Sequence, residues 1–549
     1  MKPSAPTVRT SESARSWRAS ARIPVLLAAA CLMSAGVAVQ AQQAAGDEER
    51  PAPKQVLPPP VAHAPLPATV VSAAKAGDSG TALALIGAKA DVNAPEDDGT
   101  TALHWAVYHN DVPVIDALLK AGARADTINQ YGSSPLSEAA ITGNVDVIAK
   151  LLKAGAKPDT ANADGQTPLM VIARTSNVAA ANELVRHGAK VNAIEQWHGQ
   201  TALMWAAANK QPEMVKFLIK HGADVNARSR NMNWQRMVTA EPRAQGRLPG
   251  GLTPLLYAAR EGCLECVKAL VEAKADINLP DPEGVTPLIV SIINFHYDTA
   301  NYLLDNKANP NTWDWWGRTP LYCAVDLNTI PHGGRPDMPS LDQTTSLQII
   351  EKLLNLGANP DAQLKLFPPY RALGPDRGAD MMLTIGATPL LRAAKAGDVP
   401  AIKLLLAHHA DVELPNLYGM TPLMAAAGIG SNEIDTRGRF KTQAEAIAAI
   451  DLLVAAGADV NKHEPRNGQT ALHAAALFGW NDVIKDLVAH HADLRAQDAK
   501  GKTPLDSAMG RAGGHGRGGT TIEVHEATGQ LIEQLLANPP QARVDPPQT

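Results

Sequence analysis

Thr201-Ala-Leu-Met-Trp-Ala-Ala-Ala-Asn-Lys-Gln-Pro-Glu-Met-Val-Lys-Phe-Leu-Ile-Lys-His-Gly-Ala-Asp-Val-Asn226 decides the fold. Thr201 is placed to cap a helix, its hydroxyl accepting a first-turn backbone N–H, and Leu203, Ala206 and Ala207 behind it share one face. Asn209 to Pro212 interrupts that helix. Met214, Val215, Leu218 and Ile219 then recur at the three-and-four spacing of a second amphipathic helix. Gly222 stops it by supplying the left-handed residue of a C-terminal cap.

The same stretch returns with its opening Thr or Ser at 101, 134, 167, 201, 253, 286, 319, 388, 421, 470 and 503, and the step from Thr101 to Ser134 or from Thr286 to Thr319 is 33 residues. Where Thr-Pro-Leu stands, as at Thr253 and Thr388, the proline occupies a first helical position that needs no N–H. A fixed period with two helices per unit means stacked repeats. With Thr101-Ala-Leu-His104 and Thr470-Ala-Leu-His473 nearest its signature, the chain resembles the ankyrin repeat family over residues 68–538. The resemblance implies an all-α repeat solenoid of about twelve helix-turn-helix units, degenerate caps included, with β-hairpin fingers between units. Ala68 to Asn93 reads as the N-terminal cap, and the unit opening at Thr503 closes the array.

A solenoid needs no central core, so 549 residues fit one continuous array. The formal net charge of −5 gives no global attraction to nucleic acid or to an anionic membrane. Residues 1–41 read as a signal peptide: five cationic side chains from Lys2 to Arg22 precede an apolar run, Ile23 to Val39, that ends in small residues. The run is shorter than the ~20 apolar residues of a spanning helix. A lipid anchor at Cys31 is disfavoured because Leu27 sits one place too early. Export therefore leads to the periplasm or beyond the cell, and no stable membrane insertion is expected. Residues 42–67 form a Pro/Ala-rich spacer and residues 539–549 a C-terminal tail, both expected to be disordered.

Long insertions interrupt the period at 228–250, 327–344, 363–386, 428–443 and 510–519. The first and third fall at finger positions, the second and fourth between the two helices of a unit, and the last is glycine-rich. Insertions that spare the stacking helices cost little, since closure entropy grows slowly with length, and loops on rigid scaffolds are where binding groups gather. Lys274, Lys307, His409 and His491 stand where Gly222 stands, which predicts less sharply ended units.

Aromatics make up 4% of the chain, so a local concentration stands out. Trp197, Arg230, Trp234, Arg236, Trp313, Trp315, Phe367 and Tyr370 fall in the connecting segments of the central units. The resemblance implies that fingers and first helices line one concave surface, and Trp, Tyr and Arg are the residue types that dominate interface energetics. These eight are the candidate partner-binding residues, against the alternative that the rings pack hairpins, which is the reading for Trp316. Cys266 occupies the place of Val215 and reads as a small core residue; export would also allow it a disulfide with Cys263, while no second pair completes a zinc site. The pairs His408-His409 and His490-His491 lie two repeats apart and cannot share one metal. No nucleophile elbow, phosphate-binding loop or metalloprotease string is present, so no catalytic residue, cofactor or metal is expected. The reading is a monomeric, non-catalytic scaffold of the cell envelope that binds an unidentified protein. A secreted effector or toxin-neutralising protein is the alternative, and the tryptophans leave a carbohydrate ligand as a lesser one.

Overall fold

The structure is a computed structural model that describes residues 69–231, 250–328, 342–366, 384–429, 441–510 and 524–538. The segments expected to be signal peptide, spacer and tail lie outside the described residues, as do the middles of the long insertions. Within the described residues the chain forms helices in pairs. They are α1 (Val70–Lys75) with α2 (Ser79–Gly87), α3 (Ala102–Tyr108) with α4 (Val112–Lys120), α5 (Pro135–Thr142) with α6 (Val145–Lys153), and α7 (Pro168–Ala173) with α8 (Val178–Arg186). Next come α9 (Ala202–Ala208) with α10 (Pro212–Lys220), α11 (Pro254–Glu261) with α12 (Leu264–Glu272), α13 (Pro287–Ile293) with α14 (Tyr297–Asp305), and α15 (Pro320–Asn328) with α16 (Ser346–Asn355). The series ends with α17 (Pro389–Ala396) and α18 (Val399–Ala407), α19 (Pro422–Ala426) and α20 (Gln443–Ala455), α21 (Ala471–Leu477) and α22 (Asn481–Ala489), and α23 (Pro504–Ala508) and α24 (Glu526–Ala537). Twelve pairs thus make an all-α repeat solenoid.

From α3 onward the first helices start on the residue their sequence marks. The hydroxyl of Thr253 accepts from the Leu256 N–H at 3.2 Å and that of Thr388 from Leu391 at 3.1 Å, which satisfies a donor the helix itself cannot pair. At Thr101 and Thr470 a histidine completes the cap. His104 Nδ1 accepts the Thr101 N–H at 3.1 Å while its Nε2 reaches the Ser133 carbonyl at 3.2 Å, and His473 repeats this with Thr470 and the Lys502 carbonyl. One imidazole thereby ties a helix start to the next unit's finger. Odd-numbered helices pack in succession from α1 on α3 to α21 on α23, and even-numbered ones from α6 on α8 to α20 on α22. Leu203, Ala206 and Ala207 of α9 and Met214, Val215 and Leu218 of α10 are buried between neighbours, each larger side chain contributing about 1.5–3 kcal/mol.

The second helices stop on a left-handed residue whether or not it is glycine. Gly222 has φ 83°, and Lys274, Lys307, His409 and His491 take the same turn at φ 68°, 69°, 63° and 67°. A Cβ built on Gly222 meets nothing within 4 Å, so the cost at the four substituted stops is the backbone conformation itself. Lys307→Gly is expected to stabilise the array by about 0.5–1 kcal/mol in denaturant unfolding; a loss of stability would show that the lysine side chain contributes more than its backbone costs.

The fingers are hairpin turns with short arms: the Glu96 N–H meets the Thr100 carbonyl at 2.8 Å and the Asn129 N–H the Ser133 carbonyl at 3.0 Å. No described residue belongs to a strand, and the β pairing among them is the isolated bridge Asn231–Gly250. Where no insertion intervenes, a finger is a tight turn held by an acidic or amide side chain: Asp281 Oδ1 accepts from the Glu283 and Val285 N–H groups at 2.8 and 2.9 Å. Neighbouring turns share single backbone bonds, such as Gln130 N–H to the Asp98 carbonyl at 2.8 Å and Trp315 N–H to the Glu283 carbonyl at 2.7 Å. Arms this short leave no room for a ladder.

A second thread runs along the other end of the turns. Asn93 Oδ1 accepts the Arg124 N–H, Asn192 that of Asp224, Asn226 that of Asp276, Asn311 that of Asn359 and Asn461 that of Asp493, all at 2.8 Å. The step from Asn226 to Asp276 spans 50 residues and that from Asn192 to Asp224 spans 32, yet the bond is the same.

Candidate protein-binding surface

The first helices turn two positions toward the fingers. The fourth residue after the opening Thr is Trp105, Trp205 or Tyr257, and the seventh is Tyr108, Ile141, Arg174 or Arg260. Trp105 Nε1 donates to Glu96 of the preceding finger at 3.0 Å, and Gln200 of a finger donates to the Tyr257 hydroxyl at 2.6 Å, so fingers and first helices share one face. Cations lie over these rings. Lys75 Nζ is 5.3 Å from the Trp105 centroid, and the guanidinium carbons of Arg174 and Arg260 are each 5.1 Å from Trp205 and Tyr257. Tyr108 and Ile141 stand exposed beside them.

Of the eight residues singled out in the sequence, Trp197, Trp313 and Trp315 sit on finger turns and are 60%, 57% and 46% exposed. Arg230 is exposed on the finger after Trp197, with Nη1 donating to the Trp197 carbonyl at 3.3 Å. Trp234, Arg236, Phe367 and Tyr370 lie outside the described residues. Lys365, on the finger after Trp313, places its ammonium 3.9 Å from the Trp313 ring centre. Trp316 is half-buried beneath Arg318, which is itself buried and ion-paired to the buried Asp314. The carboxylates of these fingers are turned inward: Glu195 is buried and accepts from the N–H groups of Trp197, His198 and Gln200.

The same two helix positions are closed off in the units from α15 to α20. Arg392 stands where Trp205 stands and Asp326 where Ala208 stands, and they form an ion pair with side chains 2% and 0% exposed. Tyr322, Leu391, Met424 and Ile429 form a second apolar cluster beside it, separate from the main core. Lys441 is buried, donating from Nζ to the Lys395 carbonyl at 2.9 Å and the Ala425 carbonyl at 2.7 Å. It thus caps the C-terminal ends of α17 and α19 together. Sequence reading missed this region, because a lone Asp, Arg and Lys at solvent-type positions carry no sign of burial.

Burial pushes the Lys441 amine down to about 7, with the Lys395 charge adding to the effect. The unfolded chain therefore holds a proton that the folded chain lacks between pH ~7 and the ordinary lysine range, so this group makes stability rise with pH across that window. Below it both states are protonated and the gain is gone. Lys441→Met is expected to remove this slope, so the melting temperature of the wild type relative to the variant should climb between about pH 7 and pH 10. A constant difference would mean that the amine stays charged.

Cys263 and Cys266 are joined in a disulfide at the start of α12, where Cys263 takes the capping place that Asp111 and Asp398 hold at α4 and α18. His490 Nε2 hydrogen-bonds to Asp451 at 2.7 Å and lies 4.0 Å from Asp486, which ties α20 to α22. Among the described residues no helix is long and apolar enough to cross a membrane.

Capped helix pairs, one per period, stacked through their first helices with turn fingers on one side, define a helical-repeat interaction scaffold. The sequence model of ankyrin repeats in three copies matches residues 70–162, 149–229, 235–314, 255–363, 341–434 and 442–515, and the chain belongs to the ankyrin repeat family. Repeats of this family serve as protein-interaction modules and are generally non-catalytic. Among curated proteins the chain is similar to the neurogenic locus Notch protein of Drosophila melanogaster, 38% identical over 117 residues, which is 20% of this chain and 4% of that one. Notch homolog protein 1 of Homo sapiens is 36% identical over 99 residues, 18% of this chain and 4% of that protein. The Xenopus laevis homologue is 31% identical over 119 residues, 22% of this chain and 5% of its own. The chain therefore spans about 4–5% of the length of these relatives.

Proposed function

We propose that this chain is an exported scaffold, periplasmic or secreted, that holds a partner protein on the face shared by its fingers and first helices. The observation that carries the reading is the row of exposed indoles, Trp197, Trp313 and Trp315, on turns whose own carboxylates and backbone bonds hold them in place. Rigid rings forfeit little conformational entropy on association. The basic and apolar leader supports export, and the disulfide of Cys263 with Cys266 supports an oxidising compartment.

Cell fractionation followed by capture on the tagged mature chain tests both halves. The expected result is a processed protein outside the cytoplasm that retains one partner at a fixed ratio. Recovery in the cytoplasm with the leader intact overturns the export half. A mature chain that retains nothing from periplasm or medium overturns the binding half.

A further inference from the structure

The finger face from α7 to α16 is chemically one-sided. Among the described residues its outward groups include indole rings and cations, while most finger acids are drawn into the turns. Glu195, Asp281 and Asp314 are buried, each accepting backbone N–H groups of its own finger, and Asp314 also neutralises Arg318. Arg174, Arg230 and Lys365 remain exposed and meet no carboxylate among the described residues. Among the described residues of these fingers Asp164 is exposed and Glu283 half-buried, and Glu261 is paired with Arg260. The cations stand beside rings: Arg174 over Trp205, Lys365 over Trp313, and Arg230 against the Trp197 backbone. A guanidinium or ammonium seated on a ring face still offers donors outward, and beside it lies apolar surface that water hydrates poorly.

We infer that the partner presents to this face an acidic stretch of chain interleaved with aliphatic or aromatic side chains, its carboxylates meeting Arg174, Arg230 and Lys365 and its apolar groups meeting Trp197, Trp313 and Trp315. The inference rests on the proposed docking of a protein here and adds the chemistry of what docks. Charge guides the encounter and excludes basic partners, and the rings supply the contact that a polyanion alone would not satisfy.

A random peptide library displayed on phage and selected on the mature disulfide-bonded protein tests this. Enriched sequences should carry Asp or Glu together with Leu, Phe or Trp. The triple variant Arg174→Glu, Arg230→Glu, Lys365→Glu, checked for an unchanged melting curve, should lose those sequences at least tenfold and enrich basic ones. Heparin and single-stranded DNA should compete weakly. Enrichment of neutral or basic peptides on the wild type, enrichment indifferent to the charge reversal, equal competition by heparin, or no enrichment at all would each overturn the inference. If the tryptophan variants still abolish capture of the native partner while the selected peptides are not acidic, the docking face stands and its assigned chemistry fails.

Discussion

Asp326→Ala is expected to destabilise the array by about 3–5 kcal/mol, because it strands the Arg392 guanidinium without its carboxylate at a site closed to water. The pair joins α15 to α17, so the loss falls on one interface of a stack in which each unit rests mainly on its neighbours. Denaturant unfolding followed by far-UV circular dichroism should then separate into two transitions, the array parting between those helices. Replacing both members, Asp326→Leu with Arg392→Met, should recover most of the stability, since well-packed apolar groups of similar volume often match or exceed a buried ion pair. A single, barely shifted transition in Asp326→Ala would mean that Arg392 finds water or another acceptor.

Trp313→Ala and Trp315→Ala address binding. Indoles at the centre of an interface commonly contribute 2 kcal/mol or more, so each change is expected to weaken capture of the native partner by about 30-fold. Both rings stand out from the core, and the Lys365 contact on Trp313 is of the exposed kind worth about 0.5–1 kcal/mol, so thermal unfolding should barely move. Trp316→Ala provides the contrast. Its ring lies half-buried under Arg318 beside the buried Asp314, and its loss should lower stability while touching the partner little. A large fall in melting temperature for Trp313→Ala or Trp315→Ala would show that those rings hold the fold.

The repeat architecture was legible because it is written locally. The opening Thr, the three-and-four apolar spacing and the stop residue lie within one unit, and even the degraded stops at Lys307 and His409 keep the left-handed turn. The exposure of Trp197, Trp313 and Trp315 follows from their place on short turns. What the chain conceals is set between distant segments. Asp326 and Arg392 are 66 residues apart, and Lys441 reaches a carbonyl 46 residues away, so nothing in either neighbourhood marks them as buried.

The amide side chains that link Asn226 to Asp276 and Asn311 to Asn359 set the spacing of the stack by their own reach, independently of how much chain lies between. Inserted segments are thereby released from any duty to keep the units in register. They can be lengthened, shortened or exchanged without retuning the frame.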